Sequence, residues 1–462
     1  MIMPVEQSQY VSIKMGVGII TWCRVHDMIL DMICLLSKEE NFITVLDSDE
    51  QYTTSHCNAR RLAVQHVVQP LASTSTLQTR SLNAICNAEM LPSLSCFEVL
   101  RVLALEDPLG SHNPNYLEHV GKLVHLRHLK LESMGIRELP KEIGHLKFLL
   151  VLDLGRNSIS ELPESIGGRS QLKCLNMCET EIEVPCWIGN LTSLEELCLG
   201  QVGVRSNFVT ELGKLTALRK LRISGSVYLY GDDSRMNSWA ESVAKLSKIQ
   251  VIDIHSVYGR RDSSDEEKPW EQYVLSPQLR VLHMCYDEPR LMARINPRLL
   301  PNLSQLKLFI YNPDLEVFGS FHELVSLELN TWSALHHDTM GGAGAFPKLR
   351  VFNTPATLGS FQEEDMPVLE FLEFSVVAQS NDDGISFEFD FGSLGNLPLL
   401  QHVTVTLYAP PVDYKKASKM VKRAIDTLPN RVSPYISTMD IKDWSRSLQC
   451  IFTCGTYLPL YV

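Results

Sequence analysis

The sequence lacks the motifs that mark several common classes of protein. No Gly-x-x-x-x-Gly-Lys-[Ser/Thr] stretch occurs in its 462 residues, so it has no phosphate-binding loop of that kind. Its 12 cysteines form no Cys-x-x-Cys pair and lack the dense spacing of a disulfide scaffold, which favours free thiols in a reducing compartment. No uncharged apolar run reaches the ~18 residues of a membrane span. The N-terminus lacks the basic and apolar regions of a signal peptide.

Composition and charge narrow the remaining classes of function. The formal net charge is −12, which argues against a general nucleic-acid binder, because such a protein needs a basic face to displace counterions. The hydrophobic fraction of 45% and the charged fraction of 21% are ordinary for a folded globular protein. We therefore expect a soluble protein of the cytoplasm or the nucleus, with a sizeable core and no membrane span.

A repeat dominates the sequence between residues 94 and 408. The chain repeatedly reads Leu-x-x-Leu-x-Leu-x-x-x-x-Ile-x-x-Leu-Pro-x-x-Ile-x-x-Leu, and five successive central leucines, beginning at Leu129, are 23, 23, 22 and 24 residues apart. That spacing is typical of leucine-rich repeats. The pattern predicts 13 strand units, with the anchors Leu103, Leu129, Leu152, Leu175, Leu197, Leu221, Ile252, Leu282, Leu306, Leu327, Phe352, Leu372 and Val403.

The pattern also predicts how the units assemble. Alternating leucines make a short strand with two apolar side chains on one face. One unit cannot bury that face alone, so neighbouring units must stack. The predicted fold is therefore of the α/β class: a leucine-rich-repeat solenoid with a curved parallel sheet on its concave side.

The residues between the leucines of each strand are expected to face solvent on the concave side. They are polar, mixed in sign and irregular, and form no catalytic constellation, so we predict no catalytic residues and no enzyme. A solvated sheet face would look the same at any single position, but a broad polar concave surface is the usual binding face of a solenoid. The predicted partner-binding residues are Lys130, Asp153, Asn176, Arg222, Asp253, His283, Lys307, Glu328 and Glu373.

Long inserts stretch several units, at 225–242, 256–275 and 376–395. Long loops in a compact array are often functional. The first two inserts are rich in aromatic residues, which either anchor a partner or cover the core beneath their own loops. These residues are Tyr228, Tyr230, Trp239, Tyr258 and Trp270.

Three cysteines are expected on neighbouring strands of the same face, namely Cys174, Cys178 and Cys198. They form either a thiol cluster for metal binding or redox sensing, or a set of unrelated solvent-facing thiols. We predict no metal site, since Asp27 and Asp31 share a helix face but no second histidine or cysteine lies at ligand spacing.

Residues 1–56 do not fit the repeat. They read as strand, helix and strand, and the helix, at about 26–37, is apolar nearly all round, as in the buried core of a small module. The pair His26–Asp27 is not expected to be an acid–base dyad, because neighbouring helical residues point about 100° apart.

Several features together resemble one family. "CRVHDMILDMICLLSKEENFITVL" is similar to the end of the nucleotide-binding (NB-ARC) module of coiled-coil-class plant nucleotide-binding leucine-rich-repeat disease-resistance proteins. "RRLAVQH" at 60–66 and the Leu-Pro-x-x-Ile runs at 139–143 and 162–166 fit the same family. "KKASKMVKRAIDTLPNRV" resembles the closing helix of its cereal members.

The resemblance gives the N-terminal motif a role. In the family, a Met-His-Asp motif opens a helix of the winged-helix subdomain, and its histidine contacts the β-phosphate of bound ADP. The matching residues are Val25, His26 and Asp27, with valine in place of methionine. The resemblance therefore implies that His26 is cofactor-binding only in a longer receptor, and we expect this chain alone to hold no ADP or ATP.

The resemblance also sets the expected domain plan. It consists of a winged-helix remnant at 1–56, a linker and N-terminal cap at 57–93, the repeats at 94–408, a capping helix at 409–432 and an atypical tail at 433–462. The implied function is recognition and autoinhibition in an intracellular plant immune receptor. Its protein partners would be a pathogen effector, a guarded host protein, or the receptor's own nucleotide-binding and coiled-coil domains. The alternatives are a nucleotide-dependent switch whose phosphate-binding loop lies upstream, and a generic repeat scaffold.

Overall fold

The computed structural model divides the chain into two compact units. The first comprises Ile19–Ser276 with Met1–Met15, and the second Pro277–Val462 with Gly16–Gly18. The residues that the structure describes are 2–4, 23–25, 32, 36, 43–46, 60–65, 70, 78–107, 116–203, 207–228, 233–258, 274–284, 295–310, 315–331, 344–381 and 384–440.

The first unit contains a short antiparallel pair and a run of parallel strands. The pair is β1 (Ile2–Pro4) with β2 (Cys23–Val25). In the parallel run each strand pairs with the next one along the chain. These strands are β3 (Thr44–Leu46), β4 (Arg61–Gln65), β5 (Ser81–Ile85), β6 (Val102–Glu106), β7 (His128–Glu132), β8 (Val151–Asp153), β9 (Cys174–Met177), β10 (Glu196–Leu199), β11 (Lys220–Tyr228) and β12 (Val251–Tyr258).

Short helical turns return the chain from one strand to the next. In the Leu-Pro-x-x-Ile runs the proline precedes a 3-10 turn, and Leu139 and Ile143 on either side of it are only 7% and 1% exposed. The 3-10 turns are Ala88–Met90, Leu94–Cys96, Tyr116–Lys122, Lys141–His145, Glu164–Ile166 and Ile188–Asn190. Two α-helices replace them later in the unit, α1 (Phe208–Leu212) and α2 (Asp233–Ala244).

The second unit continues the same plan. Seven strands pair in parallel in chain order with one interruption, because β18 (Gly384–Phe387) folds back antiparallel on β17 (Phe371–Asn381) while β19 (His402–Ala409) pairs with β17 in parallel. The others are β13 (Val281–Met284), β14 (Gln305–Phe309), β15 (Ser326–Asn330), β16 (Val351–Asn353) and, after β19, β20 (Ser433–Asp440). Its helical elements are α3 (Leu315–Gly319), α4 (Tyr414–Asp426) and the 3-10 turns Phe391–Asn396 and Pro411–Asp413.

The predicted repeat register is confirmed within each unit. In the first unit Leu103, Leu129, Leu152, Leu175, Leu197, Leu221 and Ile252 are successive partners across neighbouring strands, and each is fully buried. In the second, Leu282, Leu306, Leu327, Phe352, Leu372 and Val403 are aligned and buried in the same way. The α/β leucine-rich-repeat solenoid with a parallel sheet is thus the observed fold.

Parallel pairing extends beyond 94–408, the range predicted for the repeats. On the N-terminal side, β4 and β5 lie inside the segment 57–93 that was predicted to be linker and cap. Leu62 and Leu82 are buried there 20 or so residues apart. The sequence did not show these units, because their strands Arg61–Gln65 and Ser81–Ile85 place Val64 and Ala84 at the second core position instead of leucine.

At the other end, a strand follows the helix that was predicted to close the array. The helix α4 forms as expected, with Ala417, Val421 and Ile425 buried and its lysines exposed. However, β20 then pairs with β19 along its whole length, inside the predicted tail. No residue of β20 is buried and Pro434 lies within it, so it has neither the apolar alternation nor the composition of a core strand.

The N-terminal segment also differs from the expected module. The strand Thr44–Leu46 pairs with β4 and so belongs to the repeat sheet. Met32 and Leu36 are helical, as predicted, but they are 54% and 49% exposed. The predicted all-round burial of this helix is therefore incorrect at these two positions. His26 and Asp27 lie outside the described residues.

Candidate functional site: the sheet face of the repeats

The solvent side of each parallel sheet carries the residues that alternate with the buried anchors, and we call this surface the sheet face. In the first unit, one column of it runs through strands β7 to β12, and its members are cross-strand partners in the predicted order: Lys130, Asp153, Asn176, Cys198, Arg222 and Asp253. Burial alternates as expected, with Leu129 and Leu131 fully buried on either side of the half-buried Lys130.

The second unit carries the corresponding column. Its members are aligned across β13 to β19 and are half-buried or exposed: His283, Lys307, Glu328, Asn353, Glu373 and Thr404. All nine predicted partner-binding residues thus lie on a sheet face, five in the first unit and four in the second.

Charged and polar groups on the first unit's face are linked from strand to strand. Asn176 Nδ2 donates to Asp153 Oδ1 at 2.9 Å, and the Gly155 amide donates to the same oxygen at 3.1 Å. Two strands further, Arg222 Nε donates to Asp253 Oδ2 at 2.9 Å. These side chains remain partly exposed, so such pairs orient the groups and add little to stability.

The environment changes the ionisation of two members of this column. Burial raises the pKa of Asp153, although the Gly155 amide, the Lys130 ammonium and the Asn176 amide all oppose the increase. Burial lowers the pKa of Lys130, but the hydrogen bond and charge of Glu132 outweigh it, so the net change is upward. Lys130 therefore stays a cation at neutral pH, ion-paired to Glu132.

The second unit's face carries an ion pair and a separate carboxyl group whose pKa is raised. Lys307 pairs with Glu328, which is its cross-strand partner. Glu373 lies two strands beyond Glu328, and its pKa is raised by burial first and by the Glu328 carboxylate second. Phe371 and His402 stack nearby, with ring centroids 4.9 Å apart and planes 10° from parallel.

Two features of the face were missed at the sequence level. Arg156, at the end of a turn after β8, pairs with Glu132 at 3.6 Å and with Glu179 at 3.3 Å, so it joins three successive repeats. Its backbone is left-handed, with φ of 58°, as are Ser133 and Glu179 at equivalent turns. The stacked pair Phe371 and His402 was also missed, although both occupy the position before the anchor in their strands.

A buried asparagine supports the face from below. Asn157, which is 6% exposed, accepts hydrogen bonds at Oδ1 from the Met134 and Ile136 amides at 3.0 and 3.1 Å. Its Nδ2 donates to the Leu131 carbonyl at 2.6 Å and to the Leu154 carbonyl at 2.9 Å. This side chain supplies the hydrogen bonds that the backbone lacks where two neighbouring repeats leave their strands. A sequence signal for it exists, because Asn157 stands three residues after the second strand leucine, Leu154, where the leucine-rich-repeat pattern has asparagine or cysteine; the prediction left that position open.

For the aromatic residues of the inserts, the sequence left two hypotheses open: anchoring a partner, or covering the core beneath their own loops. Trp239, in α2, is completely buried, so it covers the core of its own repeat. Tyr228 is half-buried at the end of β11. Tyr230 and Trp270 lie outside the described residues, as does the side chain of Tyr258.

The described residues contain no group of three or more histidine, cysteine or acidic side chains placed to hold a metal ion. Nor does this part of the chain include a helix long and apolar enough to cross a membrane. Cys174 and Cys198 lie on the same face of the neighbouring strands β9 and β10, as expected, whereas Cys178 lies just past the end of β9.

Comparison with known families agrees with this geometry. Residues 78–434 match the family model described as "Leucine-rich repeat region". The chain therefore belongs to that family of leucine-rich-repeat proteins.

Similar proteins give the comparison more detail. The chain is 27% identical over 256 residues to "Probable disease resistance RPP8-like protein 2" of Arabidopsis thaliana, covering 51% of this chain and 27% of that protein. It is 32% identical over 136 residues to "Disease resistance protein Pik-2" of Oryza sativa subsp. japonica, covering 28% of this chain and 13% of that protein. The chain thus matches about a quarter or less of these relatives. Among solved structures, a Leptospira interrogans leucine-rich-repeat protein covers 82% of this chain at 17% identity, with a TM-score of 0.49.

Proposed function

We propose that this chain is the recognition part of a plant disease-resistance receptor, and that it binds a protein partner through the sheet faces of its repeats. The partner is a pathogen effector, a guarded host protein, or the nucleotide-binding part of the receptor itself. The coiled-coil and nucleotide-binding modules, with the ADP or ATP they hold, would belong to a longer receptor. On that arrangement His26 would contact the nucleotide, and the site of action would be intracellular.

The observation that carries the proposal is the aligned column of polar side chains on each unit. Successive strands present a different polar group at the same height, from Lys130 through Arg222 and Asp253 in one unit, and from His283 to Glu373 in the other. A hydrophobic core needs none of these side chains. Their variety suits recognition of a particular protein surface better than solvation alone, since specificity comes from complementary charge and fit.

The relatives support the role in defence. Proteins named for disease resistance in two plants match 51% and 28% of this chain, and each is several times longer than the matched segment. The repeats are thus expected to act on the remainder of such a receptor. A partner that binds better to the open than to the closed arrangement would shift the equilibrium between them and so release the inhibition.

The proposal is tested by complementation with charge-reversal variants. A plant lacking this gene is expected to lose resistance to at least one pathogen isolate that the parent line resists. The gene is then returned with three cations of the sheet face reversed, Lys130→Glu, Arg222→Glu and Lys307→Glu. A matched control reverses three exposed cations outside the sheet face, Lys214→Glu, Lys245→Glu and Lys348→Glu; like the first three, each is ion-paired to a carboxylate.

We expect the control variant to restore resistance and the face variant to fail, with both proteins accumulating to the wild-type level. Full restoration by the face variant would exclude the sheet face as the recognition surface. Normal resistance in plants without the gene would exclude the role in defence.

A further inference from the structure

The helix α4 in the second unit carries a concentrated group of positive charges. Five of the nine residues from 415 to 423 are cationic, and no other stretch of that length in the sequence holds as many. All five residues are exposed, namely Lys415, Lys416, Lys419, Lys422 and Arg423. This group contrasts with the chain as a whole, whose formal net charge is −12.

The five cations share one side of the helix, opposite its buried side. Ala417, Val421 and Ile425 are completely buried, and α4 packs against β19, β20 and the 3-10 turn Phe391–Asn396. At about 100° of rotation per residue, the cations fall within a stripe about 120° wide on the other side. The only acidic residue of the helix, Asp426, lies at the C-terminal end of the same stripe. We call these five cations and Asp426 the basic face.

The cations of the basic face have no ionic partner in the part of the chain that the structure describes. By contrast, the exposed Lys214, Lys245 and Lys348 each contact a glutamate, at 2.6, 2.6 and 2.7 Å. Like charges spaced three or four residues apart on a helix repel one another, so folding alone gains nothing from this arrangement. An external anionic surface would relieve the repulsion.

The composition of the basic face suits a diffuse anionic surface. Four of its five cations are lysines, whose flexible ammonium groups act as point charges, whereas arginine binds a single carboxylate or phosphate through two hydrogen bonds. Val412, shortly before the helix, is 90% exposed, the highest value among the exposed large apolar side chains of the described residues. An apolar side chain beside lysines can enter the boundary between lipid headgroups and acyl chains while the ammonium groups stay among the headgroups.

We propose that the basic face of α4, together with Val412, binds the surface of a membrane that contains anionic lipids. Clusters of about four to eight lysines and arginines on one helix are attracted by such lipids, and each cation near the surface strengthens binding about fivefold. Asp426 and the negative charge of the remaining chain oppose this attraction. The apolar side of α4 stays packed on the repeats, so the binding is peripheral and needs no helix across the bilayer.

Two other polyanions match the basic face less well. Proteins that bind single-stranded nucleic acids combine cations with aromatic side chains on which bases stack, and the basic face has no aromatic residue. An acidic protein segment is held most specifically by the two-pronged hydrogen bonds of arginine, and the basic face has only one arginine, Arg423. A membrane surface needs neither feature.

The test is co-sedimentation of the purified chain with lipid vesicles. Vesicles of phosphatidylcholine alone are compared with vesicles in which about a third of the lipid is phosphatidylserine, at low and at high salt. We expect binding only to the vesicles with phosphatidylserine, and loss of that binding at high salt, because salt screens exposed charges. Equal binding to both kinds of vesicle, or no binding to phosphatidylserine at low salt, would overturn the proposal.

Soluble polyanions distinguish a membrane from the other two occupants. Polyglutamate and single-stranded RNA are each added to the phosphatidylserine vesicles at an equal concentration of negative charge. We expect most of the chain to remain on the vesicles. Displacement by polyglutamate would assign the basic face to an acidic protein, and displacement by RNA would assign it to a nucleic acid; either result would overturn the proposal.

Two variants that lose the same number of charges separate the basic face from the charge of the whole chain. The face variant carries Lys415→Gln, Lys419→Gln and Lys422→Gln. Its matched control carries Lys141→Gln, Lys147→Gln and Lys248→Gln, at exposed positions outside α4. At about fivefold per cation, the face variant should bind phosphatidylserine vesicles at least about tenfold more weakly than wild type, and the control should bind nearly as wild type does. Unchanged binding in the face variant, or an equal loss in both, would contradict the proposal.

A measurement on the unmodified protein avoids any failure of the variants to fold. Exposed lysines are briefly acetylated with and without phosphatidylserine vesicles, and the modification at each lysine is quantified by mass spectrometry. We expect the vesicles to slow acetylation several-fold at Lys415, Lys419 and Lys422, and to leave Lys141 and Lys147 unchanged. Equal protection of all five lysines, or no protection on α4 while the chain is bound, would show that another surface meets the membrane.

Discussion

Arg222 Nε lies 2.9 Å from Asp253 Oδ2, and the register of β11 and β12 makes the two residues direct cross-strand partners. Their side chains are 48% and 28% exposed, so the pair faces water on the sheet. Such a pair fixes the positions of two charges without contributing much to folding. It is therefore well placed to serve a partner, and it can be altered without unfolding the chain.

The first prediction concerns that pair. Replacing Arg222 by alanine should change the free energy of unfolding by less than about 1 kcal/mol, because the ion pair is solvent-screened. Chemical denaturation of the purified wild type and variant measures this difference. A loss several times larger would mean that the pair is structural, and that variants at this position cannot be used to probe binding.

The buried Asn157 should behave in the opposite way. Asn157→Ala leaves the Met134 and Ile136 amides and the Leu131 carbonyl without their partner. We expect a loss of about 2–4 kcal/mol in unfolding free energy, since buried polar groups would lose hydrogen bonds. The exposed Asn190 is the matched control, and Asn190→Ala should lie within about 0.5 kcal/mol of wild type. Equal effects at the two positions would contradict a supporting role for Asn157.

The raised pKa of Glu373 predicts that the free energy of unfolding depends on pH. Its pKa is raised in the folded chain by burial and by Glu328, so the folded protein holds this proton more tightly than the unfolded chain does. The resulting contribution to stability is complete below the ordinary pKa of glutamate and is lost as pH rises through the raised value. Glu373→Gln should therefore be more stable than wild type at neutral pH, and no more stable in acid. The gain should be less than about 1 kcal/mol, because the side chain is only partly buried and solvent screens its charge.

Denaturation at several pH values measures this effect, and a neighbouring glutamate gives the control. Glu370 accepts hydrogen bonds from Arg350 at 2.9 and 2.7 Å. Glu370→Gln removes that ion pair, so it should leave stability at neutral pH unchanged or slightly lower. A stabilising Glu370→Gln, or a Glu373→Gln effect that grows towards acid, would contradict this assignment of charges.

The repeat itself was readable from the sequence because its signal is redundant. Each anchor is fixed by its spacing from the previous one and by the leucines on either side, so a single exception such as Phe352 or Val403 does not shift the register. The polar column follows automatically, since alternate residues of a strand face opposite sides. The linked positions of Arg222 and Asp253 could thus be assigned before their contact was known.

Other features could not be predicted from the sequence, because they depend on contacts between residues that lie far apart in it. Asn157 occupies the position where the leucine-rich-repeat pattern has asparagine or cysteine, but the hydrogen bonds that it makes depend on the turns after β7 and β8 lying together. The strand β20 carries no buried residue, so its sequence lacks the apolar alternation that marks a repeat strand. The contact between Cys178 and the Leu199 carbonyl similarly depends on a turn pressed against Gly200.

The absence of a phosphate-binding loop leads to a prediction about nucleotides. The purified chain should bind no ADP at micromolar concentration, because a single histidine cannot replace a backbone cradle and its lysine. Isothermal titration calorimetry with ADP and magnesium measures this. Micromolar affinity would mean that the chain holds a nucleotide site of its own.

Recognition through the sheet face is tested most directly by the affinity of the two charge-reversal variants for one partner. Proximity labelling in infected leaf tissue supplies the candidate, and surface plasmon resonance then compares its dissociation constants for wild type, the face variant and the control variant. We expect the control to equal wild type and the reversal of Lys130, Arg222 and Lys307 to weaken binding at least about tenfold. Unchanged affinity in the face variant, with a loss on reversal of Lys214, Lys245 and Lys348, would show that the partner binds elsewhere on the repeats.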